Sequence, residues 1–193
     1  MKILDISREL FASQVYPGDT IPSRVARAEM DKDGYRLSDV TLCAHNGTHV
    51  DAPSHFVPDG QDVSQIALEK CMGEVVVLPC KENITEKMLL PILLKYKPER
   101  ILFKGSGYLT EEAARVLVKA KIQLVGTELL SIGHAEFSKP VHEILLGAEV
   151  VVIENLDLSA VAPGKYLLVA LPLKWGRVEG APCRAVLLPC NIL

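Results

Sequence analysis

Basic clusters, paired cysteines and long apolar stretches are all missing from this sequence, and each absence removes a class of function. Among the 193 residues, 21 Lys and Arg face 24 Asp and Glu, for a formal net charge of −3. No Lys/Arg run restores the electrostatic footprint that a nucleic-acid binder needs. Apolar runs such as Val75 to Leu78 and Val150 to Ile153 fall far short of the roughly 20 residues that span a bilayer. Asp5 interrupts the apolar stretch that a secretory signal would require. These features lead us to expect a cytoplasmic protein with neither nucleic-acid nor membrane partners. The cysteines, at 43, 71, 80, 183 and 190, form no C-x-x-C pair, and an odd count reads as free thiols in a reducing compartment. The sequons Asn46-Gly-Thr48 and Asn83-Ile-Thr85 carry little weight without a secretory signal. A G-x-S-x-G elbow, a P-loop and a complete G-x-G-x-x-G are also absent; Gly105-Ser-Gly107 lacks the third glycine. Aromatic residues make up only 5% of the chain, and Trp175 is the single tryptophan.

What is present is a series of short, often β-branched apolar runs without a repeat or a linker, so residues 1–193 read as one domain. Strands are expected at Lys2 to Ile6, Leu37 to His45, Glu74 to Leu78, Arg100 to Phe103 and Gln123 to Gly126. Three more are expected at Glu149 to Ile153, Tyr166 to Leu171 and Ala185 to Leu188. A helix is expected over Ile84 to Tyr96 behind a Thr85 cap, and another from Thr110 to about Ala120. In the second, Glu111 and Glu112 suit the positive end of the helix dipole. Pro140 to Leu146 reads as a short helix stopped by Gly147. The class is α/β, strand-rich, with two or three helices.

Three of the five histidines fall within one segment, His45-Asn-Gly-Thr-His49-Val-Asp51-Ala-Pro-Ser-His55. Gly47 and Pro53 argue against a helix here. On an extended chain, side chains at even spacing share a face, so His45, His49 and Asp51 are expected to project together. Two neutral imidazoles and one carboxylate form half of a site for a borderline divalent ion. Pro53 bends the chain and lets His55 approach from the side. The missing ligands must come from elsewhere. Glu154 directly follows a buried apolar run, where a carboxylate is costly unless paired. His134 and His142 are the remaining histidines, and spacing alone does not choose between them.

The run His45 to Phe56, H-N-G-T-H-V-D-A-P-S-H-F, resembles the H-x-G-T-H-x-D-x-P-x-H-F signature of the Putative cyclase family. That family includes bacterial kynurenine formamidases and isatin hydrolases. Similar stretches extend along the chain: Asp5-Ile-Ser7, Tyr16-Pro-Gly-Asp19, Leu124-Val-Gly-Thr127, His142-Glu-Ile-Leu-Leu-Gly147, Val152-Ile-Glu-Asn-Leu156 and Gly180-Ala-Pro-Cys-Arg184. The resemblance implies a swivelling β/β/α domain and a metal-dependent amide hydrolase working as a homodimer or homotetramer. It implies two divalent ions, Zn²⁺ or alternatively Mn²⁺. His45, His49 and Asp51 would hold the first ion, His142 the second, and Asp51 and Glu154 would bridge them. His55 would be the catalytic acid/base and Tyr16 would contact the substrate, a small amide. Tyr16 stands where kynurenine formamidases carry Trp, so N-formylkynurenine is expected to be a poor substrate. Glu128 stands where the family has Asp after the Val-Gly-Thr strand. A non-catalytic metal-dependent binding protein, and a lyase or ring-closing enzyme on the same fold, are the alternatives.

Overall fold

The computed structural model describes residues 2–136 and 138–190. Four parallel strands form its centre: β5 (Met72–Pro79), β6 (Arg100–Lys104), β7 (Leu124–Thr127) and β8 (Val151–Glu154). Parallel neighbours need long crossovers, and three helices supply them: α2 (Glu86–Tyr96), α3 (Glu111–Lys119) and α4 (Ser138–Gly147). The Thr110 side chain accepts from the Ala113 amide and caps α3, as its position suggests. Thr85 is the residue before α2 but its side chain makes no capping bond.

Antiparallel strands extend the sheet on both sides. On one flank lie β9 (Gly164–Val169), β11 (Val186–Pro189) and β1 (Leu4–Asp5); on the other lie β4 (His49–Asp51) and β10 (Gly180–Pro182). The strand order is β1-β11-β9-β5-β6-β7-β8-β4-β10. Beyond β1, Ser7 bridges to Leu156, just past β8, and the Asp157 amide donates to the Ile6 carbonyl at 2.9 Å. One edge of the sheet therefore curls round to meet the strands near the other edge. The expected strand-rich α/β architecture is present. Its two or three helices are α2, α3 and α4, with a single turn, α1 (Met30–Asp33), besides.

Alternation of side chains along each strand divides the core in two. Val75, Val77, Val151 and Ile153 point into the curl, with Ile6, Leu156 and Leu168. Val76, Leu78, Ile101, Val125 and Val152 face the helices and pack on Leu89, Leu117, Val141 and Leu145. The same alternation decides where the site lies. Val50 belongs to the inner cluster, so its neighbours His49 and Asp51 face the helix side. Glu154, two residues after Val152, faces that side too.

Two expectations need correction. The strand proposed for Leu37 to His45 ends at Thr41, as β3 (Leu37–Thr41), and pairs with β2 (Ser23–Ala28) in a separate hairpin. Residues 45–48 form turns and bends, so His45 is not on an extended strand with His49 and Asp51. Gly47 makes this turn at φ +65°, a left-handed conformation that glycine adopts without steric cost.

Candidate metal centre

β4 and β8 pair so that His49 lies opposite Glu154 and Asp51 opposite Val152. This pairing, not the sequence interval between them, joins the first histidine block to the distant glutamate. His142 descends onto the pair from α4, and His45 reaches it from the turn before β4. His45, His49, His142 and Glu154 surround Asp51, which is fully buried. Asp51 Oδ1 lies 2.9 Å from His45 Nδ1 and 3.4 Å from His49 Nε2, while Oδ2 lies 3.7 Å from His142 Nε2. Glu154 divides itself in the same way. Its Oε1 is 3.1 Å from His142 Nε2, and its Oε2 is 3.7 Å from His49 Nε2. Two three-residue groups thus share one carboxylate: His45, His49 and Asp51, then Asp51, His142 and Glu154.

Backbone carbonyls fix the ring orientations. His49 Nδ1–H donates to the Gly47 carbonyl at 2.9 Å, and His142 Nδ1–H donates to the Ser138 carbonyl at 2.8 Å. Each bond orients the ring and turns Nε2 inward, where it can give its lone pair to an ion that displaces the proton, the outer support typical of metal-ligating histidines. The Ile132 amide donates to Glu154 Oε1 at 2.8 Å and fixes that carboxylate.

The charge balance fits a cation. Burial alone would raise the Asp51 carboxyl, but the His45 hydrogen bond and the charge of the adjacent His49 ring hold it well below the usual range. Burial likewise pushes His49 and His142 down, yet Asp51 and Glu154 raise both to about 9. His49 Nε2 and Asp51 Oδ2 are buried polar atoms without a hydrogen-bond partner. Orphans of this kind are rare in folded proteins. A divalent ion would satisfy both and supply the positive charge that the two carboxylates demand.

His55 belongs to neither ligand group. It lies in the 3₁₀ turn Pro53–His55. Its ring stacks on His45 at 4.1 Å between centroids and meets Phe56 edge-on at 4.4 Å. Burial is the main reason its pKa falls from the ordinary value to about 4. It is therefore a neutral imidazole at pH 7, lower in pKa than an unperturbed histidine. Tyr16 is 39% exposed and lines the same cavity as His45, His49, His55, His142 and Glu154, at its rim.

His134 is exposed and meets Tyr108 edge-on, away from the cluster. Glu128, the departure from the family pattern, works on the backbone. Its Oε2 accepts from the Gly105 amide at 2.7 Å and its Oε1 from the Leu158 amide at 2.9 Å, tying two loops together. Glu179 went unremarked in the sequence. Its Oε1 lies 3.3 Å from His45 Nε2, on the far side of the ring from Asp51. No local pattern signals it, because the chain immediately before β10 brings it there.

The Putative cyclase family profile matches residues 4–134. The chain is a member of that family. A kynurenine formamidase from Salinibacter ruber is 34% identical over 206 residues, spanning 97% of each chain. A solved structure described as a potential metal-dependent hydrolase with cyclase activity aligns at TM-score 0.84 and 28% identity, covering 96% of both chains. Isatin hydrolase A from Labrenzia aggregata shares the fold, with TM-score 0.84 at 24% identity over 97% of this chain and 93% of that one. Among the described residues, no helix of this family member is long and apolar enough to cross a membrane.

Gly180 gives the cluster a sensitive neighbour. It pairs with Asp51 across β10 and β4. A Cβ there would lie 2.9 Å from His45 Cε1 and 3.0 Å from the Val50 carbonyl oxygen. Gly180→Ala is expected to push the His45 ring off Asp51 and to weaken divalent-ion binding by about 10- to 100-fold, as when ligand support is lost. Titration of the metal-free variant with Zn²⁺ checks this, and an unchanged affinity would contradict the packing.

Proposed function

We propose that this chain, as one domain over residues 1–193, hydrolyses the carbon–nitrogen bond of a small amide, formamide or cyclic amide. The observation that carries the reading is Asp51, buried and shared between two histidine-containing groups. In this reading His45, His49 and Asp51 would hold one divalent ion and His142 a second, with Asp51 and Glu154 available to both. Mixed imidazole and carboxylate donors without thiolate suit Zn²⁺, with Mn²⁺ as the alternative. A bound ion supplies Lewis acidity, bringing the pKa of water towards ~7 and polarising a carbonyl oxygen.

The chain's own groups do the rest. Gly47 and Ser138 hold the two inward Nε2 atoms in place, so little rearrangement accompanies reaction. Phe56 stacks on His142 at 4.7 Å and excludes water from that wall. His55, neutral and unligated, accepts a proton from the attacking water at a ring nitrogen. It then returns the proton to the departing amide nitrogen. Tyr16 offers its ring to the substrate at the rim. A binding module has no use for a neutral imidazole stacked on His45, which disfavours the non-catalytic alternative, and likeness to a kynurenine formamidase favours hydrolysis over a lyase.

Two coarser features follow the same reading. We place the protein in the cytoplasm, consistent with its five free cysteines. We also infer a homodimer or homotetramer. The β2–β3 hairpin stands apart from the main sheet with Val25, Leu37 and Val40 exposed, and an isolated two-stranded hairpin is marginal without a covering surface. A single-chain mass by light scattering would refute the oligomer.

The experiment is a panel of N-formyl aromatic amines, cyclic amides and lactones with added Zn²⁺ or Mn²⁺. Turnover of amides is expected; turnover of lactones alone, or of nothing, would overturn the assignment. N-formylkynurenine is expected to perform poorly, because Tyr16 offers a smaller face than Trp, a loss of about 0.5–1.5 kcal/mol of stacking. A kcat/KM for it of ~10⁵ M⁻¹s⁻¹ or more, within the ordinary range of efficient enzymes, would contradict the role given to Tyr16.

A further inference from the structure

Beside the metal cluster lies a second chamber of about 420 Å³. It shares Tyr16, Leu130 and Ser131 with the cavity that contains the histidines. Tyr108 forms part of its wall, so two tyrosine rings border it. Arg8 also lines it, and no other Lys or Arg lines either cavity.

Among the described residues the Arg8 side chain has no partner. Its Nε is buried and makes no hydrogen bond, and among the described residues no carboxylate lies within ion-pair distance of its guanidinium. Two acids are close enough to matter. Glu128 lines the chamber, but both of its oxygens are engaged by the Gly105 and Leu158 amides. Asp157 is bonded to Ser159, which is the main cause of its low pKa; the Arg8 charge adds to this only from a distance. The backbone of Arg8 is fixed independently, because its amide donates to Thr48 Oγ1 at 2.9 Å. A cation on an anchored backbone beside a chamber, with a buried donor unsatisfied, calls for an anion.

We propose that Arg8 binds a carboxylate on the substrate, so that the preferred substrates are acidic amides. Such a substrate spans both cavities. Its carboxylate meets the guanidinium, its apolar body lies between Tyr16 and Tyr108, and its carbon–nitrogen bond reaches the metal cluster. This rests on the amide-hydrolase reading and adds to it the charge of the substrate.

The test pairs 4-formamidobenzoate with its neutral methyl ester, on wild type, Arg8→Met and Arg8→Lys. Wild type is expected to favour the acid. Arg8→Met should raise KM for the acid by about 10- to 100-fold, the range for losing a charge-assisted partner. It should leave kcat within a few-fold and the ester unaffected, and Arg8→Lys should recover part of the loss. Equal effects on acid and ester, or no wild-type preference, would overturn the proposal. Calorimetric binding of 4-aminobenzoate to wild type and Arg8→Met reports on the subsite without turnover. Binding that depends on Arg8 while no amide is hydrolysed would sink the hydrolase reading and leave the anion site standing. Binding that ignores Arg8 would sink the anion site, whatever the enzyme hydrolyses.

Discussion

Asp51→Asn is expected to remove activity almost entirely while leaving most of the fold in place. The substitution keeps the shape of the side chain but discards the charge that both ligand groups share. Neither half can then hold an ion as before, and metal content should fall from up to two ions per chain to below one. Losing Lewis-acid stabilisation of several kcal/mol corresponds to a rate fall on the order of 10³. The fold is also expected to soften, since His45 and His49 lose the negative charge that now lies 2.9 and 3.4 Å from them. Elemental analysis, thermal denaturation and amide turnover on the same preparation check the three effects. Full metal content with normal turnover would remove Asp51 from the centre.

His55→Ala is expected to separate chemistry from metal binding. His55 stacks on His45 but lies outside both ligand groups. Its loss should therefore leave the metal count unchanged while lowering the rate by roughly 10²–10⁴-fold, the usual contribution of a positioned acid/base. Added imidazole should restore part of the rate. Loss of metal together with activity would make His55 a ligand and leave the mechanism without a proton carrier.

The sequence was most legible where local chemistry acts alone. Thr110 with Glu111 and Glu112 marks α3 because a cap and two acids satisfy a helix start without tertiary help. Val75 to Leu78 and Val150 to Ile153 mark the central strands because parallel strands buried on both faces are continuously apolar. The short pieces were hidden. β4 is three residues long, and β10 contains Pro182, which is tolerated because β10 is the sheet's last strand. Among the site residues, alternation places His49 and Asp51 on one face, and Glu154 shows itself as a carboxylate ending an apolar strand. His45 needed the Gly47 turn, which two-residue alternation does not describe. His142 and His134 differ only through the tertiary structure, and the family resemblance chose between them where spacing did not. Arg8 and Glu179 carry no local signal, since each reaches the site region from a distant part of the chain.

If His45, His49, Asp51, His142 and Glu154 hold divalent ions that drive amide hydrolysis, titration of the metal-free protein with Zn²⁺ or Mn²⁺ should switch on cleavage of an N-formyl amide. Turnover is expected to be negligible before addition, to rise with each ion bound, and to reach a plateau at two ions per chain. Turnover already complete in the metal-free protein, or a fully loaded protein that cleaves no amide, would contradict a metal-driven amide hydrolase.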